Sequence, residues 1–374
     1  MSGDGFNPII TMIPPAEYAI LGKQVSFPDI DRELAQFWQT PDGTSMRASL
    51  MNLVVFSASR GSLPRNQDLV QGILQEHACR ALIVELNAEA EDNSSFSWVT
   101  AHCRLRGGNK TVCNEQIAFW LNGHVRGRIP NSVFAHLDSD LPLVFWWQGE
   151  LSYVFRPRLY KRMNRFLFDS SEWKSPLEGY RRVMNARTDS NDQLVLHDMA
   201  WARSFHLRSA LSMMFDEKPA LHILSNIERI RLVYQPEHRM AAFLLLAWIV
   251  RQVRLRLDAR RKDSFHFRTA SGRPMEFEFI ADKKAILISE LSFFVEGHHL
   301  SLKRQEEAPL LLWDIGLPDC TLKRLVPADL SDDKSLVTGQ LARGGKNTVF
   351  NDLLEDAITL YARIFPSEDN EDPE

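Results

Sequence analysis

Two apolar runs constrain this chain more than any other feature. "LMNLVVF" (50–56) and "RALIVEL" (80–86) are apolar at consecutive positions. Between them, "PRNQDLVQGILQEHAC" (64–79) sets Leu69, Ile73 and Leu74 at helical spacing. A strand with one wet face alternates apolar and polar residues, whereas consecutive apolar residues are expected where both faces of a sheet are covered. The pattern therefore predicts a parallel β-α-β crossover. "SFSWVTAHCRL" and "KTVCNEQIAFWL" flank Gly107–Gly108 and read as a hairpin, and after a short helix near 130–137 "LPLVFWW" and "RFLFDSS" (165–171) read as further strands.

From about residue 175 the period becomes helical. "SPLEGYRRVMNAR" and "NDQLVLHDMAWARSFHLRSALSMMFD" predict two helices, and "PEHRMAAFLLLAWIVRQVRLRL" a long third one. Residues 264–326 alternate instead: Met275, Phe277 and Phe279 share one face of a strand, and Glu276 and Glu278 the other. "NTVFNDLLEDAITLYARIF" closes the fold as a helix. The expected class is α/β plus α+β, an N-terminal mixed α/β sheet domain followed by a helical and antiparallel-sheet C-terminal domain. The expected divisions are an arm with a short docking helix (1–46), the α/β domain (47–190), the α+β domain (191–366) and a disordered acidic tail (367–374).

Composition excludes several functions. A net charge of −4 gives no reason to expect nucleic acid. The apolar stretch "AAFLLLAWIV" (241–250) is about half the roughly 20 residues of a membrane span, so no membrane is expected. The first residues lack the basic start and long apolar region of a signal peptide. Four cysteines without a CxxC pair argue for a reducing cytoplasm rather than a disulfide framework.

The search for catalytic and metal chemistry returns little, and no catalytic residue, metal or cofactor is expected. There is no GxGxxG fingerprint. "LARGGKNT" (341–348) resembles a phosphate loop but has Gln340 and Asn347 where the loop needs glycine and Ser or Thr, so it reads as a flexible loop with a helix N-cap. His298 and His299 are adjacent on a strand, so their rings diverge. His197, Asp198, Ser204 and His206 lie on one segment but face different directions, unlike a triad built from distant loops. In "SASRGSLPR", Arg60 and Arg65 stand where open α/β sheets bind ligands; they are candidate anion-binding residues or plain solvated loop residues. Cys103 and Cys113 fall opposite each other if the hairpin loop has three residues and on opposite faces if it has two, and buried free cysteines are the simpler reading.

"RASLMNLVVF" (47–56), "VCNEQIAFWLNG" (112–123), "SDLPLVFWWQGEL" (139–151), "NRFLFDSSEW" (164–173) and "HDMAWARSFHLRSALSMMFD" (197–216) stand in an order and spacing that resembles the glucose-6-phosphate dehydrogenase assembly proteins, the OpcA family. The resemblance extends to "FLLLAWIVRQVRLRL" (243–257). It implies a non-catalytic protein that binds glucose-6-phosphate dehydrogenase, promotes its assembly or raises its activity, and so supports the oxidative pentose phosphate pathway and NADPH supply. In photosynthetic relatives cysteine redox state links this effect to thioredoxin, a candidate second partner; no regulatory pair of the family is matched here, Cys113 alone falling in a family-like block, and Cys103 and Cys113 are the candidate redox residues. Aromatic residues and Arg commonly anchor protein interfaces, so Trp146, Trp147, Trp201 and Arg203 are the candidate partner contacts, with burial inside the fold as the alternative. The competing function is a sensor or enzyme for a sugar phosphate or nucleotide, using the α/β domain.

Overall fold

The computed structural model describes residues 14–38, 45–47, 49–91, 93–105, 111–123, 133–261, 264–317, 320–343, 345 and 347–366. The expected Gly107–Gly108 turn and the 367–374 tail lie outside them. The chain forms two compact units, Met1–Gln148 and Gly149–Glu374.

In the first unit the strands are β1 (Lys23–Val25), β2 (Ser45–Arg47), β3 (Asn52–Ser57), β4 (Arg80–Asn87), β5 (Ser95–Leu105), β6 (Thr111–Asn122) and β7 (Leu143–Gln148). Their order is β1-β5-β6-β4-β3-β7, with β2 beside β6. β3 runs parallel to β4 and β7, and β4 parallel to β6, while β5 and β6 form the antiparallel hairpin. The crossover between β3 and β4 is helix α2 (Ser62–Leu74), after the short α1 (Ile30–Gln36). Every residue of β3 is buried, as its consecutive apolar residues require.

Two expectations change here. Residues 16–21 are not part of an arm: they coil into a 3-10 turn whose Tyr18 packs edge-on to Trp98 and Trp120 at 5.9 and 5.4 Å, and β1 then pairs with β5. Burying a Tyr and a Leu outweighs the freedom of a tail. Cys103 and Cys113 are register partners in the β5–β6 ladder and form a disulfide, so the buried-free-cysteine reading is overturned for this pair. Cys79 does lie buried and free.

The second unit opens with parallel strands β8 (Arg165–Phe168) and β9 (Val195–Asp198), linked by helix α3 (Pro176–Asp189). β9 lies in a stretch expected to be helical; four residues are too few to show a strand period beside the helical "MAWARSF" that follows. Helices α4 (Met199–Ala202) and α5 (Phe205–Asp216) come next. An eight-stranded sheet follows, of β10 (Arg229–Tyr234), β11 (Arg256–Arg260), β12 (Ser264–Arg268), β13 (Pro274–Ala281), β14 (Ile288–Val295), β15 (His298–Arg304), β16 (Leu310–Leu317) and β17 (Cys320–Pro327). Its order is β11-β12-β13-β10-β14-β15-β16-β17; only the β10–β13 pairing is parallel. The buried helix α6 (Arg239–Val253), then α7 (Asp333–Ala342) and α8 (Thr348–Ile364), complete the unit. The division at Gly149 falls before the expected 190/191 boundary because β8 and β9 are tied to α7: the Arg165 guanidinium donates to backbone carbonyls of Gln340 and Leu341, and His197 bonds the Gln340 side chain.

The Cys103–Cys113 cross-link closes a ten-residue separation. Removing it restores chain entropy to the unfolded state, so Cys103→Ser should cost about 3 kcal/mol by loop length. Urea denaturation of the variant and of reduced wild-type protein measures this. Identical midpoints with and without reductant would contradict the bridge.

Candidate functional site

The carboxyl ends of parallel strands and the N-terminus of the helix that follows them form the ligand crevice of open α/β sheets, with pyrophosphate held by the helix N–H groups. In the first unit this place belongs to Glu85, near the end of β4 and fully buried. Its Oε1 accepts from Gly61 N at 3.0 Å and Tyr18 Oη at 3.0 Å. Its Oε2 accepts from Leu63 N at 3.0 Å and Ser62 Oγ at 3.2 Å. The first turn of α2 thus spends its donors on the chain's own carboxylate. Burial and Glu85 together push the Tyr18 phenol far above its ordinary value. Further along the same crevice, Asn66 and Gln148 exchange two amide hydrogen bonds of 2.9 Å. Gly61 is the single glycine of the β3–α2 turn, and its φ of +76° is the left-handed conformation that favours glycine there. These residues do not fit a dinucleotide, whose phosphates would meet a buried carboxylate where they need free N–H groups. Arg60, on this turn, and Arg65, in the first turn of α2, are exposed.

The four expected partner contacts lie inside the fold. Trp147 is 0 % exposed, with its ring 4.3 Å from Phe56, and Trp146 is 3 % exposed. Adjacent strand residues point to opposite faces, so both faces of β7 are covered at this tryptophan pair. Trp201 packs 5.8 Å from Phe350 and lies under the Arg208 guanidinium at 3.2 Å. Arg203 is 6 % exposed and pairs with Asp169 at 2.6 Å and, more loosely, Asp333 at 3.9 Å. Sequence reasoning identified these side chains by type, and the structure uses them as internal fasteners.

The segment with His197 and Asp198 does not assemble a triad. Asp198 caps α4 through Ala200 N and accepts from Ser170 Oγ at 2.7 Å and Tyr180 Oη at 2.6 Å. Burial and the nearby Asp169 push its carboxyl up to about 6. His197 Nδ1 donates to Gln340 Oε1 at 3.0 Å, and its Nε2 accepts from Arg165 Nε at 3.2 Å. Burial and the Arg165 charge push the imidazole down to about 4, so it is neutral and already committed on both nitrogens. Ser204 Oγ, just before α5, donates to Trp201 O in α4.

One face of the eight-stranded sheet is open. Strands β10–β17 bury one face through Ile230, Leu232, Phe277, Phe293, Leu300 and Ile315. The alternate residues form rows on the other face. Arg229 and Arg231 lie over the Phe294 ring at 4.2 and 5.7 Å and both reach Glu278, at 3.2 and 2.6 Å. One row further on, Leu312 and Leu325 stand opposite each other, Leu325 being 59 % exposed. His299 is on this face too, its ring against Gly316, and pairs loosely with Asp314. Among the described residues there is no group of His, Cys, Asp and Glu able to hold a metal, and no helix long and apolar enough to cross a membrane.

Residues 70–185 match the family described as the glucose-6-phosphate dehydrogenase subunit N-terminal domain, and residues 194–354 the one described as its C-terminal domain. No curated protein matches the chain. Among solved structures, an oxidoreductase domain protein from Kribbella flavida superposes with a TM-score of 0.50 at 12 % identity, over 87 % of this chain and 100 % of that one. An aldose-aldose oxidoreductase from Caulobacter crescentus gives 0.47 at 9 % identity, over 87 % and 98 %. At such identity the first likeness is one of fold, and the second carries no argument.

His197 and Asp198 make opposite contributions to acid stability. His197, near 6.5 when unfolded and about 4 when folded, stabilises fully above pH 6.5 and loses this as pH falls toward 4. Asp198, near 3.8 unfolded and about 6 folded, favours the fold at low pH and loses this as pH rises from about 4 to 6. His197→Gln should therefore remove roughly 3 kcal/mol of pH dependence, leaving a variant whose stability falls, relative to wild type, as pH rises from 4 to 6.5. Urea midpoints across that range check it, and parallel curves would refute the assignment.

Proposed function

The chain belongs to the glucose-6-phosphate dehydrogenase assembly protein (OpcA) family, and from this we propose that it is a non-catalytic cytoplasmic partner of glucose-6-phosphate dehydrogenase that promotes assembly or allosteric activation of that enzyme. The reading rests on the family match, which runs through both units. Two features of the molecule support it. The crevice where an oxidoreductase of this fold would hold its dinucleotide is filled by Glu85 and the Asn66–Gln148 pair. The open sheet face presents arginines stacked on an aromatic ring at β10 and an apolar pair at β16 and β17, three and four strands along the same face, the side-chain types that anchor protein interfaces. That face, rather than the buried Trp146, Trp147, Trp201 and Arg203, is the surface assigned to the dehydrogenase.

A partner activates by binding one assembly or conformational state better than another, which needs complementary surface rather than a nucleophile. Coupling of about 1–3 kcal/mol changes substrate affinity roughly 5–150-fold, enough to raise NADPH output at limiting substrate. Reduction of the Cys103–Cys113 disulfide by thioredoxin is the redox arm of the same reading, tested by repeating the assay with reduced protein.

Titrating the chain into the dehydrogenase from the same organism, at sub-saturating glucose 6-phosphate and with light scattering on the same samples, should give a saturable fall in apparent KM together with a larger particle. Unchanged kinetics and no complex would sink the proposal. The double variant Arg231→Glu, Leu325→Glu should weaken the complex about tenfold or more. Full retention of binding would move the interface off this sheet face.

A further inference from the structure

A cleft of about 300 Å³ opens in the second unit between α5, the end of α7 and the start of α8. Its chemistry is one-sided. Arg208, 8 % exposed, stacks on Trp201 at 3.2 Å, and Arg343 stacks on Phe205 at 3.6 Å. Arg208 Nη1 donates to Trp201 O at 2.7 Å and to Ser204 Oγ, while its Nε and Nη2 have no acceptor among the described residues. Neither guanidinium has a carboxylate within ion-pair distance among those residues. Asp329, the acidic group that acts on both, gives its carboxylate oxygens to His206 N at 2.8 Å and Leu207 N at 3.1 Å. A buried cation without a counter-ion is costly. Burial, aided by the neighbouring Arg343 charge and opposed by Asp329, pushes Arg208 down to about 9.

The rest of the lining adds donors and no acid. Ser209 and Ser212 bring two hydroxyls from α5. Asn347 begins α8 but does not cap it; its side chain donates instead to Leu196 O at 3.3 Å, which leaves the first turn of a 17-residue helix without a side-chain cap. His197, on the cleft wall, is neutral and fully engaged, so it supplies no competing proton chemistry.

We infer that this cleft is a binding site for the phosphoryl group of a small phosphorylated metabolite, held between the guanidinium groups of Arg208 and Arg343 and the hydroxyls of Ser209 and Ser212. Arg recognises phosphate through paired N–H donors, and stacking on a ring fixes the plane from which those donors point. The volume exceeds what a bare phosphate needs and leaves space for a small polar body beside the Trp201 and Phe205 rings. The site belongs to the second unit, whereas Arg60 and Arg65, where the sequence alone points to an anion, belong to the first; it is independent of any contact with the dehydrogenase.

Isothermal titration calorimetry of the full chain with glucose 6-phosphate, inorganic phosphate and glucose tests this. Saturable binding of glucose 6-phosphate, absent for glucose, is expected. Arg343→Gln, at an exposed residue, should weaken it about tenfold or more, while Arg60→Gln leaves it unchanged. Phosphate binding as tightly as the ester would identify the free anion as the ligand of the same site. Arg208→Lys, which keeps the charge but loses the stacked fork, should also weaken binding. Failure of both phosphorylated probes to bind, equal binding of glucose, or undiminished binding by Arg343→Gln would overturn the assignment.

Discussion

The four hydrogen bonds received by Glu85 organise the first unit. A helix N-terminus with free N–H groups attracts an anion, and in open α/β folds that anion is normally a ligand. Here it is covalently part of the chain, delivered by the neighbouring strand, so the α2 cap, the β3–β4 pairing and the 3-10 turn bearing Tyr18 are fastened at one point. A self-supplied anion needs no cofactor to complete the fold. It also occupies the place at which open α/β sheets commonly bind the phosphates of a ligand.

The second unit is held by a comparable economy of buried polar groups. Asp198 fixes the start of α4, His197 and Arg165 tie β8 and β9 to α7, and Asp169 holds Arg203. Apart from the local Asp198 cap, each joins segments distant in sequence. The arginines over Trp201 and Phe205 differ, because among the described residues no carboxylate lies within ion-pair distance of either. Buried polar groups are ordinarily satisfied within the fold, so this contrast separates fastening residues from residues poised for a ligand.

Much of the architecture was legible in the sequence. The consecutive apolar positions of β3 and β4 announced a doubly covered parallel sheet, and the alternation in "MEFEFIAD" announced the half-open one. Local pattern could not resolve β9, where four strand residues adjoin a helical run. Nor could it choose the β5–β6 register, which depends on a loop geometry that two glycines leave open, and with it the pairing of Cys103 and Cys113. The tryptophan pair was conspicuous, but residue type does not distinguish a core anchor from an interface anchor. The signal that was present and missed is Glu85 itself, a lone acid in an otherwise apolar strand buried on both faces. Such a residue must be paired with donors, and a helix N-terminus is the nearest supply.

Calorimetric titration of NADP+ into the full-length chain tests most directly the claim that Glu85 closes the dinucleotide crevice. The account predicts no saturable heat at concentrations that fill the sites of dinucleotide-dependent oxidoreductases. Stoichiometric binding that Glu85→Gln strengthens would mean that the carboxylate gates a working site rather than replacing its ligand, and the account of this unit would fail.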